Sequence, residues 1–66
     1  MDYTVKLQHA IVQAAELAAI AGVSDSMTNY EDVANGFVAL VTGFAVGTDE
    51  FEDARSDFDY ELEQAL

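Results

Sequence analysis

Asp57, Asp59 and Glu61 occupy alternate positions near the C-terminal end of the sequence, the spacing of the first three ligands in a calcium-binding loop. Such a loop needs glycine at its sixth position to turn sharply, and that position holds Leu62; its twelfth, the place of a bidentate glutamate, lies past Leu66. Loose association of divalent cations is expected here, and a dedicated metal site is not. Nucleophilic chemistry is no better supplied. Cysteine is absent, and the single histidine, His9, shares a helical face with Lys6, Gln13 and Glu16, which suits a solvated side chain. Ser24, Ser26 and Thr28 fall together, as hydroxyl residues do in turns and helix caps. Gly36, Gly43 and Gly47 do not form a phosphate-cradling loop between a strand and a helix. The expectation is a protein that is not an enzyme and carries no cofactor.

The acids that remain are unusual in number. Thirteen acidic side chains face one lysine and one arginine in 66 residues, a formal charge of -11. Small soluble domains ordinarily carry a net charge of about 2 to 8 in magnitude. Two cations exclude a basic face for nucleic acid and attraction to an anionic membrane. Eight acids, Asp49, Glu50, Glu52, Asp53, Asp57, Asp59, Glu61 and Glu63, fall within fifteen residues relieved only by Arg55. On a helix they span about 21 Å, one charge per roughly 2.6 Å of axis. Duplex DNA presents one per about 1.7 Å overall and about 3.4 Å along one strand, a comparable density. Glu50, Asp53, Asp57 and Glu61 recur at spacings of three, four and four, which lines them along one edge. Like charges so placed weaken a helix, so a requirement other than stability is expected behind them. Proteins of a high-salt cytoplasm are also acid-rich, but there the excess is general, and here it is clustered.

This profile is similar to that of phage-encoded DNA-mimic inhibitors, small acidic proteins that occupy the nucleic-acid grooves of restriction, CRISPR, glycosylase or nucleoid proteins. The resemblance is one of size and charge over Asp49 to Glu63. It rests on no motif, and those inhibitors share no common fold, so it implies a kind of surface and nothing about architecture.

The elements that must hold these acids are three predicted helices, at about 4–21, 29–46 and 49–65, in one antiparallel all-α bundle over residues 1–66. In the first, Leu7, Ala10, Ile11, Ala14, Leu17, Ala18 and Ala21 lie opposite the polar residues, and Gly22 is placed to end it. The second opens with Thr28 and Glu31 at capping-box spacing. Its large residues Tyr30, Val33, Phe37, Leu40, Val41 and Phe44 follow the helical period, with Gly36, Ala39 and Gly43 on a smooth side. Asn35-Gly36 is also a hairpin signal, so a β-hairpin there is the alternative; it would need cover on both faces that so short a chain cannot supply. The third starts at Thr48 or Asp49 and is held by a stripe of Phe51, Ala54, Phe58, Leu62 and Ala65, with Phe51 and Phe58 expected in the core.

A domain of this size without disulfides commonly gains stability by association, so a homodimer is expected. Ala19-Ile20-Ala21 superficially suits a secretory cleavage site, but Asp2 and the polar His9, Gln13 and Glu16 spoil the leader pattern. The longest stretch free of ionisable groups, Val33 to Thr48, is sixteen residues, short of the about 20 that span a bilayer. A cytoplasmic location is expected. The leading functional expectation is a non-enzymatic inhibitor whose third helix fills the basic cleft of a nucleic-acid-binding protein. Glu50, Asp53, Asp57 and Glu61 would make the contact, flanked by Asp49, Glu52, Asp59 and Glu63. The alternative is an assembly module that oligomerises through Gly36, Ala39 and Gly43.

Overall fold

Alanine-rich amphipathic sequence without proline propagates a helix until a residue takes the chain out of the right-handed region, and here glycine does so twice. The structure, a computed structural model, describes residues 3–66; Met1 and Asp2, which belong to the expected single domain and to the leader comparison, lie outside the described residues. The first helix, α1, is Tyr3–Ile20. Gly22 follows with φ of 87°, a left-handed conformation that L side chains rarely adopt. The Val23 amide then bonds back to the Ala18 carbonyl at 2.9 Å and the Gly22 amide to the Ala19 carbonyl at 3.1 Å. This doubled reverse bonding satisfies carbonyls that the helix end would orphan, and it tucks Val23 into the core.

The second helix, α2, is Tyr30–Thr42, shorter at both ends than expected. The capping box of Thr28 and Glu31 does not form. Asn29 is the cap residue, at φ of -106° and ψ of 23°, and its side chain caps no amide. Those angles are not the extended ones that aim a cap oxygen at the first turn. Glu31 and Asp32 instead place negative charge at the positive end of the helix dipole. At the other end Gly43 turns left-handed at φ of 76°, its amide bonded to the Ala39 carbonyl at 2.9 Å. The Thr42 hydroxyl donates to the Val38 carbonyl at 2.7 Å and accepts from the Phe44 amide at 3.1 Å, which carries the chain out of the helix. The third helix, α3, is Asp49–Ala65. Of the two candidate caps, Thr48 takes the role: its backbone is extended and its hydroxyl accepts from the Phe51 amide at 3.3 Å.

No strand occurs among the described residues, and Asn35-Gly36 lies inside α2, which removes the hairpin alternative. A helix satisfies its backbone groups locally, whereas an apolar hairpin would need a layer on each face. The result is a small all-α bundle in which all three helices meet, α1 and α3 most extensively. Tyr30 faces Asp59 and Asn35 faces Arg55, so α2 and α3 run antiparallel. Gln8 and His9 share a groove with Asp57, and Glu16 shares one with Gln64 and Ala65, so α1 and α3 run in the same direction. The path is up, down, up.

Each helix buries a narrow face. Ile11, Ala14, Ala15 and Ala18 of α1, Ala34 and Val38 of α2, and Phe51, Ala54, Phe58 and Leu62 of α3 form the core with Val23. The alanines let backbones approach, and Phe51 and Phe58 fill the space between them. Phe37 stacks on Phe58 with centroids 6.1 Å apart and planes inclined at 23°. Several expected interior positions are outside. Leu17 is 60% and Leu40 84% exposed, and Ala21 and Ala65 are exposed. For α2 the reason is its composition: a helix that is apolar around most of its circumference carries no local instruction about which side faces inward. No described helix is long and apolar enough to cross a membrane.

Candidate partner-binding surface

The four buried residues of α3, Phe51, Ala54, Phe58 and Leu62, fix the rotation of the helix and therefore the direction of every acid on it. At about 100° per residue the acids divide between two flanks of that buried stripe. Glu50, Asp53, Asp57 and Glu61 occupy one flank. The first three are exposed and Glu61 is half-buried. This flank borders α1. Asp57 and Glu61 line a groove of about 350 Å³ with His9, Val12 and Tyr60. Glu61 also lines the next groove along with Glu16. The row is continuous, as its spacing predicts, but its C-terminal member lies against α1 instead of standing clear.

The other flank holds Glu52, Asp59 and Glu63, with Asp49 at the helix start close to the outer side. Asp49, Glu52 and Glu63 are exposed. Asp59 is half-buried and turned inward, and its role differs from that of the rest. One of its carboxylate oxygens accepts a hydrogen bond from the Tyr30 hydroxyl and a charge-assisted one from Arg55 Nε at 3.2 Å. The Arg55 guanidinium lies 5.4 Å from the centroid of the Tyr30 ring and donates through Nη1 to Asn35 Oδ1. Four side chains from two helices thus make one polar seam. The pair of Arg55 and Asp59 is the one ion pair among the described residues, so the lone cation of α3 is committed to a single acid. Burial first, then the bond to Asp59 and its negative charge, push the Tyr30 phenol up to about 12, with Arg55 pulling the other way.

This seam was not recognised from the sequence. The i,i+4 spacing of Arg55 and Asp59 was a legible signal. Tyr30 and Asn35 were not, because their partners stand 29 and 20 residues away in sequence.

The other expected site residues, Gly36, Ala39 and Gly43, lie in α2 and at its C-terminal cap. Gly36 is exposed with open space where a side chain would be, Ala39 is half-buried against the core, and Gly43 lies beyond the end of α2. The Gly43 amide still bonds to the Ala39 carbonyl, so the small-residue side runs to the end of α2, and the left-handed turn redirects the chain only after it. Ser24 and Ser26 bond to each other at 3.0 Å in the α1–α2 loop, the local role expected of them. His9 is exposed. Among the described residues no group of three or more histidine, cysteine or carboxylate side chains is arranged to hold a metal ion.

What the surface can do is electrostatic. Glu50, Asp53 and Asp57 project from a helix whose opposite side is anchored by two buried phenylalanines, so their separations are held without help from a ligand. Fixed like charges of this kind attract a basic surface at long range and lose that attraction as salt is added.

No protein-family model matches the chain, and no curated protein or solved structure matches it significantly.

Proposed function

We propose that this is a non-enzymatic binding protein whose acidic α3 occupies the basic cleft of a nucleic-acid-binding protein and keeps nucleic acid out, an inhibitor of the DNA-mimic type. The observation that supports the reading is the rigid mounting of Glu50, Asp53 and Asp57: they stand exposed in sequence order on a helix packed along its whole length. The span from Glu50 to Glu61 is about 16 Å at the helical rise, the length of several phosphates along one DNA strand. Asp59 is withdrawn from the contact set, since Arg55 and Tyr30 already hold it.

Affinity capture at low salt from a nuclease-treated lysate, eluted with a salt gradient, tests the reading when each captured protein is then assayed for displacement of duplex DNA. Basic nucleic-acid-binding proteins are expected, with DNA released as the acidic chain is added. The variant carrying Glu50→Lys, Asp53→Lys, Asp57→Lys and Glu61→Lys is expected to keep its helical circular dichroism and lose both effects. Capture that survives the reversal, or DNA that stays bound alongside the chain, overturns the proposal.

A second reading, self-assembly through the outer side of α2, is favoured by one observation: Leu40 is 84% exposed and lines a shallow apolar depression with Val33, Gly36 and Phe37. Sedimentation of the wild type and of Leu40→Asp separates this reading from a monomeric inhibitor.

A further inference from the structure

Another concavity lies on the flank of α3 across from the row of acids that borders α1, with Tyr60 lining both grooves. It is a cleft of about 540 Å³ between the α1–α2 loop, the first residue of α2 and the last two turns of α3. Its size falls within the range of about 300 to 1,000 Å³ typical of ligand pockets. Three acidic residues, Asp25, Asp59 and Glu63, line it together with the aromatic residues Tyr30 and Tyr60. Leu62 and Leu66 supply apolar wall. None of the lining residues is cationic.

One wall of this cleft already shows which chemistry it accepts. Tyr30 and Asp59 together bind a guanidinium, that of Arg55, through the ring and through the carboxylate. Tyr60 and Glu63 bring the same two kinds of group to the same cleft, and no guanidinium or ammonium of the described residues is bonded to them. A planar cation suits such a place because it can lie against a ring while donating in its own plane to carboxylates, and its apolar stem can cover Leu62 and Leu66. An ammonium matches the charge and not the plane.

We propose that this cleft is a socket for an arginine side chain presented by the protein partner, seated between Tyr60 and Tyr30 with its guanidinium on Glu63 and Asp25. The inference rests on the reading that the partner is basic, and adds to it a specific anchor beside the long-range attraction of the Glu50 row.

Titration of the isotope-labelled chain at low salt with the blocked peptide acetyl-Ala-Gly-Arg-Gly-Ala-amide, followed by amide chemical shifts, tests the socket. Saturable shifts are expected at Asp25, Tyr60 and Glu63 and their neighbours, with a dissociation constant of ~1 mM, as befits a single side chain. The lysine peptide should bind several-fold more weakly, and the citrulline peptide, which keeps the shape and lacks the charge, should give no saturable shift. Asp25→Asn with Glu63→Gln should weaken the arginine peptide about tenfold, and Tyr60→Leu about threefold, in keeping with the sizes of charge-assisted and cation–π contacts. Glu16→Gln with Asp32→Asn removes the same charge elsewhere and should change binding less than twofold. Equal loss in the two double variants, shifts that track Glu50, Asp53 and Asp57 instead, or equal binding of lysine and arginine peptides overturns the socket while leaving the displacement assay to judge the basic-partner reading separately. No saturable shift with any peptide also overturns it.

Discussion

The Tyr30 hydroxyl donates to the Asp59 carboxylate across 29 residues of sequence, tying the first turn of α2 to the later half of α3. Arg55 sits beside both, near the ring of one and bonded to the carboxylate of the other, so the tie is also where the acidic helix is relieved of one negative charge. The cost of packing α3 against α2 is thereby lowered at Asp59, which would otherwise be half-buried there without a partner. Asp49, Glu50, Glu52, Asp53, Asp57 and Glu63 have no such partner and stay exposed, while Glu61 lies half-buried beside α1.

Removing the tie has a pH signature. Tyr30 is raised from 10.0 to about 12 in the folded protein, so the folded state holds its proton more tightly than the unfolded state does. The stabilisation is fully present below the unfolded value near pH 10 and is lost as pH rises toward 12. Urea unfolding is expected to show stability falling through that interval in the wild type, with the Tyr30 share of the fall missing in Tyr30→Phe. At neutral pH the same variant should lose about 1 to 2 kcal/mol, the value of a hydrogen bond to a charged group at a half-buried site. An unchanged alkaline profile in Tyr30→Phe would show the phenol to be free.

Phe58 is the residue whose loss the fold can least absorb. It is fully buried, and Phe37 stacks upon it. Phe58→Ala should cost about 3 to 5 kcal/mol from lost burial and the cavity left behind. That is comparable to the whole stability of a small domain, so the variant is expected to be largely unfolded by circular dichroism. Phe58→Leu should fold, with a lower melting temperature.

Two glycines of the same segment should respond to alanine with opposite signs. Gly36 is helical with open space around the added carbon, so Gly36→Ala should stabilise by about 0.5 to 1 kcal/mol. Gly43 has a positive φ, so Gly43→Ala should destabilise by about 1 kcal/mol. Thermal melts of the two single variants check both signs. Destabilisation or lost self-association in Gly36→Ala would point to a close helix contact at that position.

Self-repulsion among the acids should make the fold more stable in salt. With a formal charge of -11 and a single ion pair among the described residues, screening removes more repulsion than attraction. The melting temperature is expected to rise from about 0.02 M to about 0.5 M sodium chloride, where the screening length falls from roughly 20 Å to roughly 4 Å. Replacing Asp53 by asparagine should shrink the rise. A melting temperature independent of salt would mean that the acids do not oppose the folded state.

The local signals that proved sufficient were those that act within one turn of chain. Gly22 ends α1 because only a residue without a side chain enters the left-handed region cheaply, and Thr48 starts α3 because its hydroxyl reaches an amide three residues on. Phe51, Ala54, Phe58 and Leu62 were legible as the buried stripe because everything else around α3 is polar, which leaves one side that can face a core. Gly43 was misplaced within a longer helix, since the apolar residues on both sides of it fit the helical period equally well with or without a break.

Sequence alone therefore determined three helices, the burial of two phenylalanines of α3 and the concentration of negative charge on that helix, because helix period, capping and charge are properties of neighbouring residues. Tertiary structure decided which side of α2 turns inward, that Leu40 is left in water, and that Asp59 is held by Tyr30 and Arg55. Those choices depend on surfaces that meet only after the chain has folded back on itself, and no spacing along the chain records them.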